Sequence, residues 1–219
     1  MHPEFAKAVD PVFLACLQFM NRVESNSRLV AADERAVIQR KMDEAEIRLG
    51  ATPEWQLAKY ALCAWVDSLL INTPWSGAGW WKDNCLEVKY FGRRDAHEEF
   101  FRKALEAGEL SKKDALEVYY IAVVLGFRGF YGDSDTGYAA NIARNLRIPD
   151  NIEGWCRGVA RSLQLRQGRP NIPEAVQAAG SAKPLTGRTS LITFSMMGVL
   201  LLALAVSCYV LLFVDFSGN

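Results

Sequence analysis

The sequence lacks the short motifs by which most active sites are recognised. It contains no G-x-x-x-x-G-K-[ST] phosphate loop, no G-x-S-x-G nucleophile turn and no G-x-G-x-x-G dinucleotide fingerprint. Histidine occurs only at His2 and His97, and the five cysteines are scattered without a C-x-x-C pair. A zinc site or a redox pair needs closely patterned ligands. We therefore predict no catalytic residues, no bound metal, no cofactor and no enzymatic activity.

One segment resembles a metal motif only in part. His97 is followed by Glu98 and Glu99, as in the H-E-x-x-H zinc motif, but Phe101 stands where the second histidine is required. We interpret the segment as the polar face of a helix.

An excess of charge of one sign is also absent. Lysine and arginine together number 25, and aspartate and glutamate together also number 25. A balanced chain exerts no long-range attraction on nucleic acid. Nucleic acid is therefore excluded as an expected partner.

Strand signals are missing, whereas helical spacing recurs along the chain. No alternating apolar run or Asn-Gly hairpin turn occurs, and the pattern before residue 168 predicts an all-α fold. Thr52 and Pro53 are typical of a helix start. The helix that they open is apolar nearly all round, which predicts the buried centre of a bundle.

Within this apolar helix, Asp67 is the exception, because burying a lone carboxylate is costly. One alternative is that it pairs with an arginine or caps a backbone end inside the core. The other is that it lies at the exposed edge of a surface used for partner binding. After this helix, residues 72–94 are predicted to form a long connection. Its Trp75, Trp80 and Trp81 are either anchors that fold back on the bundle or an exposed aromatic patch for another protein.

A long apolar run, residues 191–214, occupies the end of the chain, and only five residues follow it. As a helix it would be about 36 Å long, enough to cross a hydrocarbon core of about 30 Å. Ala203 and Ser207 form one small-x-x-x-small pair, a pattern typical of helix pairing in membranes, which leaves a homodimer open.

The charges beside this run predict its orientation. Asp215 is the only charged residue among the five that follow it, whereas several basic residues precede it, and basic residues stay on the cytoplasmic side. These basic residues are Arg166, Arg169, Lys183 and Arg188. We therefore expect a cytoplasmic helical domain (1–167), a flexible linker (168–190), a transmembrane helix (191–214) and a short periplasmic tail (215–219).

Several motifs, taken in order, resemble the DotU/TssL (IcmH-like) family of secretion-system proteins. They are Tyr60-Ala61-Leu62-Cys63-Ala64-Trp65-Val66-Asp67, Thr73-Pro74-Trp75, Glu98-Glu99-Phe100-Phe101, Leu116-Glu117-Val118-Tyr119-Tyr120 and Leu125-Gly126-Phe127-Arg128-Gly129-Phe130-Tyr131. Ser68, Arg128 and Phe130 stand where other residues are common in the family.

The resemblance implies a bacterial inner-membrane protein of type VI, or related type IVB, secretion systems. It implies about seven to eight helices in two packed sub-bundles, followed by one transmembrane helix. It also implies a scaffold that binds a TssM/IcmF-like inner-membrane protein and cytoplasmic baseplate proteins. The expected protein-binding residues are Asp67, Trp75, Trp80, Trp81, Glu98, Glu99 and Arg128.

Two other functions stay open at this point. The chain could be a tail-anchored enzyme acting on a substrate near the membrane, or a tail-anchored adaptor outside secretion. A deep pocket with two convergent titratable groups would favour the enzyme.

Overall fold

The computed structural model describes residues 1–25, 28–133 and 136–166, and in these residues the chain is helical without any β-strand. The prediction of an all-α fold is therefore confirmed for this part of the chain. Within the described residues, seven helices have eleven or more residues, two have six, and one 3₁₀ helix lies between α7 and α8. The helices are α1 (Pro3–Glu24), α2 (Ala31–Leu49), α3 (Pro53–Asn72), α4 (Ala78–Asp83), α5 (Leu86–Phe91), α6 (Ala96–Glu109), α7 (Asp114–Val124), the 3₁₀ helix (Gly129–Gly132), α8 (Thr136–Leu146) and α9 (Ile152–Arg166).

The predicted linker, transmembrane helix and tail, together with Ala203 and Ser207, lie outside the described residues. Among the helices that are described, none is both long enough and apolar enough to cross a bilayer. The buried side chains form a continuous hydrophobic cluster that runs from α1 to α9. The division into two packed sub-bundles stays a prediction.

Helix α3 is the centre of this core, as its apolar sequence predicted. It begins as expected, because the Thr52 hydroxyl accepts a hydrogen bond from the Trp55 amide at 3.2 Å and Pro53 occupies the first turn. Twelve of its twenty residues are buried, including Lys59 and Asp67. Helices α4, α5, α6 and α7 all pack against it. Because α3 is packed on several sides, the positions of its buried side chains are fixed by neighbouring helices.

The prediction of a long connection over residues 72–94 is wrong, because the segment contains α4 and α5. Each of these helices has only six residues, too few to be stable alone. Their stability comes from contacts with α3 that have no periodic signature in the local sequence. The side chain of Trp81 in α4, for example, is fully buried and donates a hydrogen bond to Asp67 of α3.

The chain bends sharply after α7 and returns against α6. Gly126 and Gly129 both have positive φ, at +105° and +51°. Aromatic rings fix the bend, since the Phe100 and Phe127 ring centroids lie 4.0 Å apart and those of Phe101 and Phe130 lie 4.8 Å apart. The bend therefore holds residues 126–133 close to the beginning of α6.

Gly129→Ala should destabilise this bend. A Cβ atom at position 129 would lie 2.6 Å from the carbonyl oxygen of His97 and 2.8 Å from a ring carbon of Phe101. We expect a loss of about 1–3 kcal/mol in the free energy of unfolding, measured by urea denaturation. Gly108→Ala is the matched control, because nothing lies within 4 Å of its added Cβ and alanine has a higher helix propensity than glycine in the last turn of α6. Equal stability of the two variants would contradict this account.

Candidate functional site

A cleft of about 580 Å³ lies between the second half of α3, the beginning of α6 and the bend after α7. Polar and charged side chains line much of it, and the bend supplies several glycines. The polar lining consists of Asp67, Ser68, Asn72, Glu87, Arg94, His97, Arg128 and Asp133. A smaller depression of about 180 Å³ shares Ser68, Asn72, Gly126 and Phe127 with this cleft. Together the two form an extended groove along α3.

Asp67 is the buried carboxylate of this cleft, and it caps a backbone end in the core, which was one of the alternatives predicted. Its Oδ1 accepts hydrogen bonds from the Trp81 indole at 2.8 Å and the Leu86 amide at 2.9 Å. Its Oδ2 accepts one from the Glu87 amide at 2.8 Å. Cys85, the residue before α5, makes no capping bond with its side chain. Asp67 therefore caps α5 from a different helix.

The pKa of Asp67 is raised from its ordinary value, mainly because the carboxyl group is buried. The three donors, and the charge of Arg35, act in the opposite direction and favour the ionised form. All three hydrogen bonds need an acceptor, and the carboxylate supplies it through both of its oxygens. Asp67 thus holds α4 and α5 in place and is not available as a proton donor or acceptor.

Glu87 is a second buried acid in the cleft, and no pattern in the sequence indicated it. Its Oε1 accepts a hydrogen bond from the Tyr60 hydroxyl at 2.7 Å and a longer one from the Asp95 amide at 3.3 Å. Burial raises the pKa of Glu87, and the Tyr60 contact partly offsets this rise. Its role is to connect α3, α5 and the loop before α6.

Arg128 lines the opposite wall of the cleft. Its Nη1 donates to the carbonyl oxygens of Val123 at 2.9 Å and Phe127 at 3.1 Å. A cation at the carboxyl end of a helix stabilises the orphan carbonyls there. Arg128 therefore fixes the end of α7, and its side chain also lines the cleft.

The structure brings only two of the seven predicted binding residues, Asp67 and Arg128, into the cleft lining. Trp75 is half-buried against Phe19, and its indole donates to the Leu70 carbonyl at 2.7 Å. Trp81 is buried, so these two tryptophans are anchors. Trp80 remains 39% exposed.

Glu98 and Glu99 lie on α6 and do not line the cleft, although the Glu98 Oε1 is 3.8 Å from Nε2 of His97, which does line it. Glu98 accepts a hydrogen bond from the Tyr138 hydroxyl on α8. Glu99 is only 5% exposed and accepts a hydrogen bond from Arg102 at 2.8 Å. Both residues make structural contacts within the bundle, and whether they bind a partner stays a prediction.

Ser68, Glu87, Arg94 and His97 belong to the cleft, although their sequence positions did not predict this. Ser68 follows Asp67 directly, so their adjacency was a usable signal. The other three come from the segment interpreted as a connection and from the first turn of α6. The position of Glu87 depends on the capping of α5 by Asp67, which no local pattern reveals.

The chemistry of the cleft favours binding. The two buried acids, Asp67 and Glu87, are engaged by indole, tyrosine and backbone donors, and burial raises the pKa of the neighbouring Cys85 thiol, which keeps it protonated. Among the described residues, no cluster of three or more His, Cys, Asp or Glu side chains could hold a metal ion. The lining carries cations and acids together, so it can complement charges of either sign on a ligand.

The described residues define the class of all-helical bundles, with a polar groove on the surface, and the comparison with known families makes the assignment more specific. A family model described as type VI secretion system protein DotU matches residues 4–214. The chain therefore belongs to the DotU family, which confirms the resemblance seen in its motifs and implies a component of a type VI secretion system. No protein of curated function and no solved structure matches the chain.

Asp67→Ala should destabilise the described bundle strongly. It would leave the Trp81 indole and the amides of Leu86 and Glu87 without their acceptor, and we expect a loss of about 3 kcal/mol or more in the free energy of unfolding. Asp67→Asn keeps one carbonyl oxygen for the two Oδ1 contacts, so it should lose about half as much. Asp10→Ala, at an exposed site on α1, should change it by less than about 0.5 kcal/mol. Chemical denaturation of the three variants measures the order, and an unchanged Asp67→Ala would refute the capping role.

Proposed function

We propose that this chain is a membrane-anchored scaffold of a type VI secretion system. In this role it links an inner-membrane complex, which includes a TssM/IcmF-like protein, to cytoplasmic baseplate proteins. The main support is the match of the DotU family model, because it extends through the helical bundle and the apolar run at residues 191–214. A match that includes this run fits a protein in which bundle and anchor act together.

The cleft is the proposed binding site of the scaffold. It is long, open and lined by charges of both signs, which suits a polypeptide better than a small substrate. Its walls are fixed by Asp67 and Arg128, so little ordering is needed when a partner binds. Among the seven predicted residues, Asp67 and Arg128 act here by shaping the cleft, and Trp80 offers a separate exposed contact.

The enzymatic alternative gains no support from the cleft. Asp67 and Glu87 are two titratable groups with raised pKa in one cleft, which is the pattern that would favour it. Their oxygens, however, already accept hydrogen bonds from Trp81, Leu86 and Tyr60. A general acid or base must reach its substrate, and these carboxyl groups are held by the fold instead.

Filling the cleft should interrupt the scaffold without unfolding it. Ser68→Tyr places a ring in the groove from a half-buried position on α3. We expect secretion by the host system, and co-purification of baseplate proteins with the membrane-extracted chain, to fall at least tenfold at unchanged protein level. Gln18→Tyr, at an exposed site on α1, is the matched control and should retain both. Normal secretion and co-purification with Ser68→Tyr would contradict the proposed site.

The proposed topology has its own test. A reporter that is active only outside the cytoplasm should be active when fused after Asn219 and silent when fused before Met1, because the basic residues precede residues 191–214. Enzymatic activities of the two fusions in intact cells measure this directly. The opposite pattern would reverse the orientation and place the bundle outside the cytoplasm, where no baseplate protein could reach it.

A further inference from the structure

A second depression lies on the other side of α4, where α2, α4 and α5 meet. It has a volume of about 500 Å³ and is lined by Ala32, Arg35, Ala36, Gln39, Trp80 and Lys89. None of these residues lines the cleft, and no acidic side chain contributes to this lining. The depression thus combines two cations, one indole and two small methyl groups.

Arg35 and Trp80 form the centre of this surface. The guanidinium carbon of Arg35 lies 5.8 Å from the centroid of the Trp80 ring, within the range of a cation–π contact. The Nε of Arg35 is buried, and it has no hydrogen-bond acceptor anywhere in the described part of the chain. A buried donor without an acceptor is uncommon in a native fold and calls for a partner group.

Neither cation of the depression is neutralised by contact. Within residues 1–25, 28–133 and 136–166, no acidic group lies within ion-pair distance of Arg35 or Lys89. The charge of Arg35 does influence buried Asp67, but the oxygens of Asp67 accept hydrogen bonds from Trp81 and the α5 amides. The complement of this surface is therefore an anion.

The indole of Trp80 is held in a fixed position beside these cations. Its neighbour Trp81 is fixed by the hydrogen bond to Asp67, and the two rings meet edge to face with centroids 6.5 Å apart. Tryptophan and arginine side chains that are already ordered are the commonest energetic centres of protein interfaces. An ordered anchor loses little entropy on binding.

We propose that the depression between α2, α4 and α5 binds an acidic segment of a partner protein, with carboxylates on Arg35 and Lys89 and an apolar side chain against Trp80. The inference rests on the scaffold role proposed above and adds the chemistry of one partner. A lipid headgroup is the less favoured occupant, since membrane-binding surfaces usually carry clusters of four to eight basic residues, about twice as many or more as the two here. The balance of 25 basic and 25 acidic residues in the chain also argues against binding to an anionic lipid surface.

The direct test uses the full chain in detergent and a blocked, fluorescently labelled decapeptide with four glutamates around two leucines. We expect saturable binding that weakens at least tenfold in the double variant Arg35→Gln, Lys89→Gln, and that also weakens when salt is raised. The same peptide with glutamine in place of glutamate should not bind. Arg40→Gln is the matched control, because Arg40 is an exposed cation of α2 outside the depression. Equal peptide binding by the wild-type chain and the double variant would overturn the proposal.

Two further measurements distinguish an acidic protein segment from a structural role of Arg35 and from a lipid headgroup. Arg35→Gln removes no internal hydrogen bond, and it removes only the cation–π contact with Trp80 and a longer-range attraction for Asp67, so its melting temperature should fall by no more than about 4 °C, whereas a structural role for Arg35 would lower it further. Displacement of the peptide by millimolar glycerol phosphate would identify an anionic headgroup site and overturn the protein partner. If the peptide fails to bind while Ser68→Tyr still abolishes secretion, only this inference fails and the scaffold role stands.

Discussion

The carboxylate of Asp67 is the contact on which the arrangement of this surface depends. It is contributed by the central helix α3, and it accepts hydrogen bonds from one side chain of α4 and two backbone amides of α5. Neither short helix could persist without such contacts. Burial raises the Asp67 pKa, so ionising this group reduces the stability of the bundle as the pH rises from the ordinary pKa to the raised one. The three hydrogen bonds act against this rise in the pKa.

The same contact lies between the two surfaces that carry the proposals. Asp67 lines the cleft on one side, and on the other it fixes Trp81, against which the exposed Trp80 is packed. Arg128 and Gly129 shape the facing wall of the cleft, whereas Arg35 and Lys89 belong only to the depression between α2, α4 and α5. The two surfaces can therefore be altered separately through those residues, but not through Asp67.

The parts of this architecture that sequence predicts are those with local signals. The start of α3 at Thr52 and Pro53, its burial and the all-helical fold follow from capping chemistry and from apolar spacing. Helices α4 and α5 could not be predicted in this way, because six residues contain less than two turns of periodicity. The sequence also indicates that Asp67 is unusual, since a carboxylate in an apolar helix needs hydrogen-bond donors or an opposite charge. Its partners lie 14 to 20 residues away in the sequence, so only the tertiary structure shows that they meet Asp67.

Capping a helix from outside has a consequence for motion as well as for stability. Helices α4 and α5 owe their order to side-chain contacts with α3, so the free energy that keeps them closed is smaller than that of the whole bundle. Residues 78–91 can then open together while α3, α6 and α7 remain folded. Such an opening would remove Trp80 and Lys89 from one surface and Glu87 from the other in a single event. Local unfolding of this segment would therefore couple the two proposed binding surfaces, which share no side chain.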